Sequence, residues 1–451
     1  MNTKKLTTLF AALLAVSAMA WAQDANPLTI SGSIQPTTQL SLDDGSGYAN
    51  LSSGPGGRTY IRFSDRLSKY SSLVIRFGAP YLNDKSGTAY DSNVEAANSW
   101  NSGVGIQDAY ASTDILGELG MNDIIGLKLQ AGMFRLKAPT FSRGLNFGLG
   151  TGEDNTRTEV YGNYTFPYPG ASYESYKWTL EIPVNALKDV FPVTVKVGSD
   201  LDLSGKNEKT GFTGYAEVGG RNLYLLDDKI VIDWAGYYTL KARDAAPTGT
   251  PYIANGNIFG GVFDLGLGFD NGVSVGLGAA AEYAAYDYKA IWSGATNLKS
   301  YSEGSLNWQA GLDVTGKDLA KVYGAFVHRN AFNVDMGSGG VNASYNFAQN
   351  YVAFRADVLA IKTLTPYFGG TYVLGYETIK DKQTGTYRGK PSNDKPLAWE
   401  AGLMWALTAN VELDAGYTKG ANNALTNFGA VINAIQQDAD GAAFFRGTWK
   451  F

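Results

Sequence analysis

Gly441-Ala-Ala-Phe-Phe-Arg-Gly-Thr-Trp-Lys-Phe451 is the stretch that decides the fold. Ala443, Phe445, Gly447, Trp449 and Phe451 form one register, and Phe444, Arg446, Thr448 and Lys450 form the other. Successive side chains of a strand point to opposite faces, so one face here is apolar and aromatic and the other mostly polar and cationic. A soluble protein seldom finishes on two bulky outward aromatics. A lipid-facing strand that closes a barrel does so naturally.

The opposite end supplies an address. Lys4 and Lys5 form a positive n-region, and Leu6 to Val16 is an apolar h-region interrupted only by Thr7 and Thr8. Ala18, Ala20 and Ala22 follow with the small-residue spacing that signal peptidase requires, which predicts a signal peptide over 1–22 and a mature chain over 23–451. The h-region is too short to cross ~30 Å of hydrocarbon comfortably, which weighs against a membrane anchor.

Composition agrees with export into a strand-rich structure. The chain has 55 Gly, 28 Tyr, 21 Phe and 9 Trp against 14 Pro, one His and no Cys. Aromatics at this density suit strands and interfacial girdles. Without Cys there is no disulfide scaffold, thiol nucleophile or thiolate metal site. Loss of Lys4 and Lys5 with the leader takes the formal charge from −5 to −7, which argues against nucleic acid as a partner.

Period-2 runs extend outward from the terminal strand along the whole chain. Leu73, Ile75 and Phe77 alternate early; Trp178, Leu180 and Ile182 alternate with Lys177, Thr179 and Glu181. Val273, Val275, Leu277, Ala279, Ala281 and Tyr283 form one run, and Leu306, Trp308, Ala310, Leu312 and Val314 another. Trp399, Ala401, Leu403, Trp405 and Leu407 lead into Val411, Leu413, Ala415 and Tyr417. Alternation of this kind marks half-buried strands. Its hydropathy is bland, so a mean of −0.16 is compatible with a membrane barrel. The fold class predicted is all-β: a transmembrane antiparallel up-and-down barrel of about 18 strands, within 16–20, with strand alternation beginning by Leu28, Ile30, Gly32 and Ile34. A soluble sandwich, propeller or solenoid would share the period, but no 40–50-residue repeat is present.

The connections fall into two classes. Asp270-Asn271-Gly272, Ala348-Gln349-Asn350 and Thr408-Ala409-Asn410 read as short turns. Residues 82–103, 138–157, 242–256, 284–305, 378–396 and 419–442 read as long loops. Short turns on one side and long loops on the other are the pattern of outer-membrane barrels. The polar register then faces a lumen, carrying Glu181, Glu217, Asp233, Glu282, Asp313, Asp357, Glu400, Glu412 and Asp414 with Lys128, Lys177, Lys196, Arg355, Arg446 and Lys450.

Two motifs carry a resemblance. The ending with Phe445, Trp449 and Phe451 resembles the C-terminal assembly signal of bacterial outer-membrane β-barrel proteins. The run Leu127 to Arg143, with Gly132, Arg135 and Pro139, resembles the strand before the constriction loop of general bacterial porins. The resemblance implies a cell outer membrane location in a diderm bacterium and a channel for small hydrophilic solutes or ions. It also implies contact with outer-membrane lipid and the barrel assembly machinery, with monomer and homotrimer both open. It further implies a loop over 138–157 that folds inward, setting Glu153 and Asp154 against Arg135, Lys137, Arg143 and Arg157. The alternative is a structural or adhesive surface protein that presents extracellular loops.

Catalysis is not expected. His328, in Ala-Phe-Val-His-Arg-Asn, is the lone histidine, and no Gly-x-Ser-x-Gly elbow accompanies it. No metal tract or cofactor motif is present, and Asp43-Asp44-Gly45 and Asp227-Asp228-Lys229 read as turns.

Overall fold

The computed structural model describes residues 28–34, 36–42, 47–50, 60–78, 105–134, 176–202, 211–243, 252–290, 299–335, 344–377, 379–380, 387–388, 397–420 and 441–451. The signal peptide predicted over 1–22 and the loop predicted over 138–157 lie outside them. So do Arg135, Lys137, Arg143, Glu153, Asp154 and Arg157.

Alternation and β-branched or aromatic residues dictate strands nearly throughout. The first wall segments are β1 (Thr29–Ile34), β2 (Thr37–Ser41), β3 (Gly47–Asn50), β4 (Tyr60–Arg66), β5 (Ser71–Gly78), β6 (Gly105–Asp114), β7 (Lys128–Met133), β8 (Tyr176–Pro183) and β9 (Thr194–Asp202). The long strands follow: β10 (Gly211–Leu225), β11 (Ile230–Arg243), β12 (Tyr252–Gly268), β13 (Val273–Ala290), β14 (Lys299–Gly316), β15 (Ala320–Asp335), β16 (Ser344–Val358) and β17 (Leu364–Glu377). A two-residue ribbon, β18 (Ile379–Lys380) with β19 (Tyr387–Arg388), precedes β20 (Leu397–Thr408), β21 (Val411–Lys419) and β22 (Ala442–Lys450).

Every wall pairing is antiparallel, and β22 returns to pair with both β1 and β2. β1 and β2 are one strand interrupted around Pro36, and β3 and β4 together pair against it as its single neighbour. The sheet is therefore a closed barrel of 18 strands. Closure removes both edges, which is what lets a sheet sit in hydrocarbon with every ladder hydrogen bond made internally. Phe451 completes the seam: its N–H donates to the Gly32 carbonyl at 3.1 Å and its carbonyl accepts from Gly32 N–H at 2.9 Å. A Cβ on Gly32 would stand 2.5 Å from the Phe451 ring, so the ring lies directly over that glycine.

The registers put Ile30, Ile61, Trp178, Phe259, Leu277, Trp308, Phe368, Leu403, Trp405, Phe445 and Trp449 on the outer face, where all are exposed. An apolar, aromatic exterior around a polar interior is the arrangement of a membrane barrel. His328 is on the outer face, cross-strand from Trp308: the rings stack at 5.7 Å, and Nδ1 lies 2.8 Å from Asn350 Oδ1.

Three expectations need correction. Ala348-Gln349-Asn350 is no turn; it lies inside β16, where the register shifts between Asn350 and Tyr351. The extra residue of that bulge is Leu374 on β17, while β16 keeps an unbroken register with β15 there, so Ala348-Gln349-Asn350 imitates a turn through its residue types alone. The loop expected over 284–305 is also mostly strand, and that over 242–256 partly so, because β13 and β14 stay paired out to Ala290 and Lys299 and β11 and β12 out to Ala242 and Asn255. Pairing needs only backbone groups, so it continues past the apolar band where side chains turn polar. The Asp227-Asp228, Asp270-Asn271-Gly272 and Thr408-Ala409-Asn410 turns are where they were expected, with Asp227, Asp228 and Gly272 at positive φ.

Candidate functional site

The inner wall is built from every second residue of each strand, so its chemistry is scattered over the sequence and gathered by register. Among the described residues of β10 to β14 it carries five carboxylates: Glu217, Asp233, Asp264, Glu282 and Asp313. Arg221 stands exposed at the bulge that follows Gly220, toward the short-turn rim. On β22, β4 and β5 the described inward charges are Arg446, Lys450, Arg62, Arg66 and Arg76. β12, the centre of the acidic arc, lies half the circumference from β1, the centre of the basic one. The two signs thus face each other across the barrel.

They also share a level. Asp233, Asp264 and Asp313 sit three to four residues in from the short-turn ends of their strands, and Arg62, Arg76 and Arg446 sit four to five. All but Arg62 are buried, with Asp264 at 0% and Arg76 at 5% exposure. Charge held in such surroundings acts more strongly than charge on an open surface. Asp233 accepts from the Asn222 N–H at 2.5 Å, and the Arg76 guanidinium lies 4.0 Å over the Tyr60 ring.

A second cluster joins the inner faces of β16 to β22. Arg446 donates to Asp414 at 2.8 Å, with side-chain exposures of 8% and 2%. The Tyr367 hydroxyl donates to the other Asp414 oxygen at 2.9 Å. Arg355 donates to Asp357 at 2.7 Å and stacks over Tyr367 at 4.5 Å. Glu400, with no exposure, lies on the same inner face. These groups were expected to face water; they do face inward, but Asp414 and Glu400 are buried, Asp414 beneath its bonds to Arg446 and Tyr367.

Glycines explain how the tyrosines lie flat. Tyr237 on β11 is cross-strand from Gly260 on β12, and Gly260 is cross-strand from Glu282 on β13. A Cβ on Gly260 would overlap the Tyr237 ring, whose hydroxyl reaches across to Glu282. Tyr367, Gly402 and Asp414 repeat the device across β17, β20 and β21. Tyr215 stacks on Tyr237 at 6.4 Å and donates to Glu217. Gly260→Val should therefore destabilise the barrel by about 1–3 kcal/mol through overpacking. Adding Tyr237→Ala should recover part of that loss. Urea unfolding midpoints of the two variants decide it; a Gly260→Val barrel as stable as the parent would refute the packing.

Of the lumenal groups expected from sequence, Glu217, Asp233, Glu282, Asp313, Asp357, Arg355 and Arg446 all take part in these arrangements. Asp264, Arg62 and Arg76 were missed. Arg62 and Arg76 alternate with Ile61, Phe63, Ile75 and Phe77, which is a signal that could have found them.

Closure, an apolar exterior and a charged interior are together decisive for the fold. The chain forms a closed, antiparallel 18-stranded β-barrel with the outer and inner faces of a membrane barrel. No family model matches it, and no curated protein matches it. Solved structures with a similar fold include OmpT of Vibrio cholerae in its trimer form, with 12% identity, TM-score 0.43 and coverage of 95% of this chain and 100% of that one. Salmonella typhi OmpF in complex with daunomycin gives 11% identity, TM-score 0.40 and coverage of 95% and 98%. A mutant Rh. blastica porin gives 12%, 0.38, 94% and 100%. With every score below 0.5, these likenesses carry no argument.

Proposed function

We propose that this porin-like barrel is a channel in the outer membrane of a diderm bacterium, passing small hydrophilic solutes or ions without chemistry on them. The observation that carries the reading is the ring of arginines on β4, β5 and β22 facing the aspartates on β11, β12 and β14. A field across the passage turns dipolar solutes as they cross and acts on ions according to sign. Solute width and that field, rather than a catalytic group, would set selectivity.

Export by the 1–22 leader, recognition of Phe445, Trp449 and Phe451 by the assembly machinery, and a homotrimer belong to the same proposal. The outward position of the three aromatics and the seating of Phe451 on Gly32 support a role for them in closing the wall. The purified protein in planar bilayers should give stable, unitary conductance steps. A folded barrel that never conducts would sink the channel reading and favour the adhesive one.

A further inference from the structure

Two neighbouring connections at the short-turn rim are hydrogen-bonded into one small body. The β6–β7 connection, residues 115–127, begins with α1 (Ile115–Glu118), capped by Asp114, whose carboxylate accepts from Gly117 N–H at 3.1 Å and Leu127 N–H at 3.2 Å. The β8–β9 connection, residues 184–193, holds a 3₁₀ turn over Asn185–Leu187. Ala186 N–H donates to Ile124 O at 3.0 Å, Gly126 N–H to Pro183 O at 2.9 Å, and Asn185 Nδ2 to Asn122 O at 2.5 Å. Both connections are ordered by these bonds, yet their large apolar side chains point away from the body. Ile124 is 69% exposed and Val190 74%, with Leu119, Met121, Leu187 and Phe191 exposed beside them. Asn, Asp, Glu and Lys residues stand between: Glu118, Asn122, Asp123, Lys188 and Asp189.

This patch is continuous with the outer wall. Phe191 stacks at 6.1 Å and 25° on Trp234, an outward residue of β11. Four other short turns carry smaller versions of the same composition. Leu226 precedes Asp227, Asp228 and Lys229; Phe269 precedes Asp270; Asp318 precedes Leu319; Ile361 precedes Lys362. All four apolar residues are exposed. Apolar residues interleaved with charges suit a surface half in the acyl region and half among headgroups.

We propose that the 115–127 and 184–193 connections form a foot that dips into the membrane leaflet on the short-turn side, with Met121, Ile124 and Val190 at the headgroup–acyl boundary. The occupant of this surface is phospholipid, because the patch extends the lipid-facing wall and does not stand apart from it. The foot fixes the depth and tilt of the barrel on one sector of its rim. The inference rests on the barrel spanning a membrane, and its test separates the two.

The chain has no cysteine, so single-cysteine variants report one site each. Met121→Cys, Ile124→Cys, Val190→Cys, Asp228→Cys and Leu403→Cys would be labelled with an environment-sensitive fluorophore and folded into phosphatidylcholine–phosphatidylglycerol vesicles. Brominated-lipid and aqueous iodide quenching would then be compared. Positions 121, 124 and 190 should lose about half of their fluorescence to brominated lipid and resist iodide, as position 403 does, whereas position 228 should be quenched by iodide. Lipid quenching at 403 with only iodide quenching at 121, 124 and 190 would overturn the foot and leave that surface to a periplasmic protein. Absence of lipid quenching at 403 would instead overturn the membrane-barrel reading itself, and the foot with it.

Discussion

Asp414→Ala should destabilise the barrel by about 3 kcal/mol, toward the lower end of what breaking a buried ion pair costs. The carboxylate receives Arg446 on one oxygen and the Tyr367 hydroxyl on the other, and it is 2% exposed. Removing it leaves a buried guanidinium short of its nearest anion and a hydroxyl without its acceptor. Other contacts of Arg446 temper the loss. Replacing Asp414 and Arg446 together by apolar residues should restore much of it, since the desolvation cost disappears with the charges. Urea unfolding in vesicles, followed by tryptophan emission, measures both. A single variant within about 1 kcal/mol of the parent would mean the pair contributes no more than a surface one.

Neutralising one side of the charged ring should shift ion selectivity. With Asp233, Asp264 and Asp313 replaced by Asn, the wall opposite Arg62 and Arg76 loses three negative charges. The reversal potential in a salt gradient should then move toward anions, with a permeability ratio changed about several-fold at low ionic strength. Arg62 and Arg76 replaced by Gln should move it the other way. Screening shortens from about 30 Å at 0.01 M to about 3 Å at 1 M, so both shifts should shrink as salt rises. Equal reversal potentials for the parent and both variants would place selectivity elsewhere in the lumen.

The barrel was legible from sequence because its rule is local. Each strand announces itself by alternation, as in Trp399 to Leu407, and each tight turn by its own chemistry, as in Asp270-Asn271-Gly272. Where side chains turn polar inside a strand the reading slipped: Gln349 and Asn350 imitated a turn, and the polar extension of β13 and β14 imitated a loop. The charged ring was only half legible. The inward register identifies Asp233 and Asp313 one strand at a time, but nothing in the sequence near Arg62 says that Asp264 stands on the opposite wall. That relation exists only once the eighteenth strand meets the first. The flat tyrosines were hidden for the same reason, since Tyr237, Gly260 and Glu282 become neighbours only through two registers.

That meeting of first and last strands has a mechanical consequence. Between β13 and β14 the wall is stitched by eighteen residue pairs. At the seam, β22 has two pairs along β1 and five along β2, with Pro36 between them and the Gly32–Phe451 exchange at the end. Proline contributes no N–H to a ladder, so the stitching is interrupted there. A tube loaded from within or stretched by its surroundings parts along its weakest line. In this one the ladder is interrupted at Pro36, where the chain's two ends are sewn together, and the ring of Phe451 lies across Gly32 there like the knot that finishes a thread.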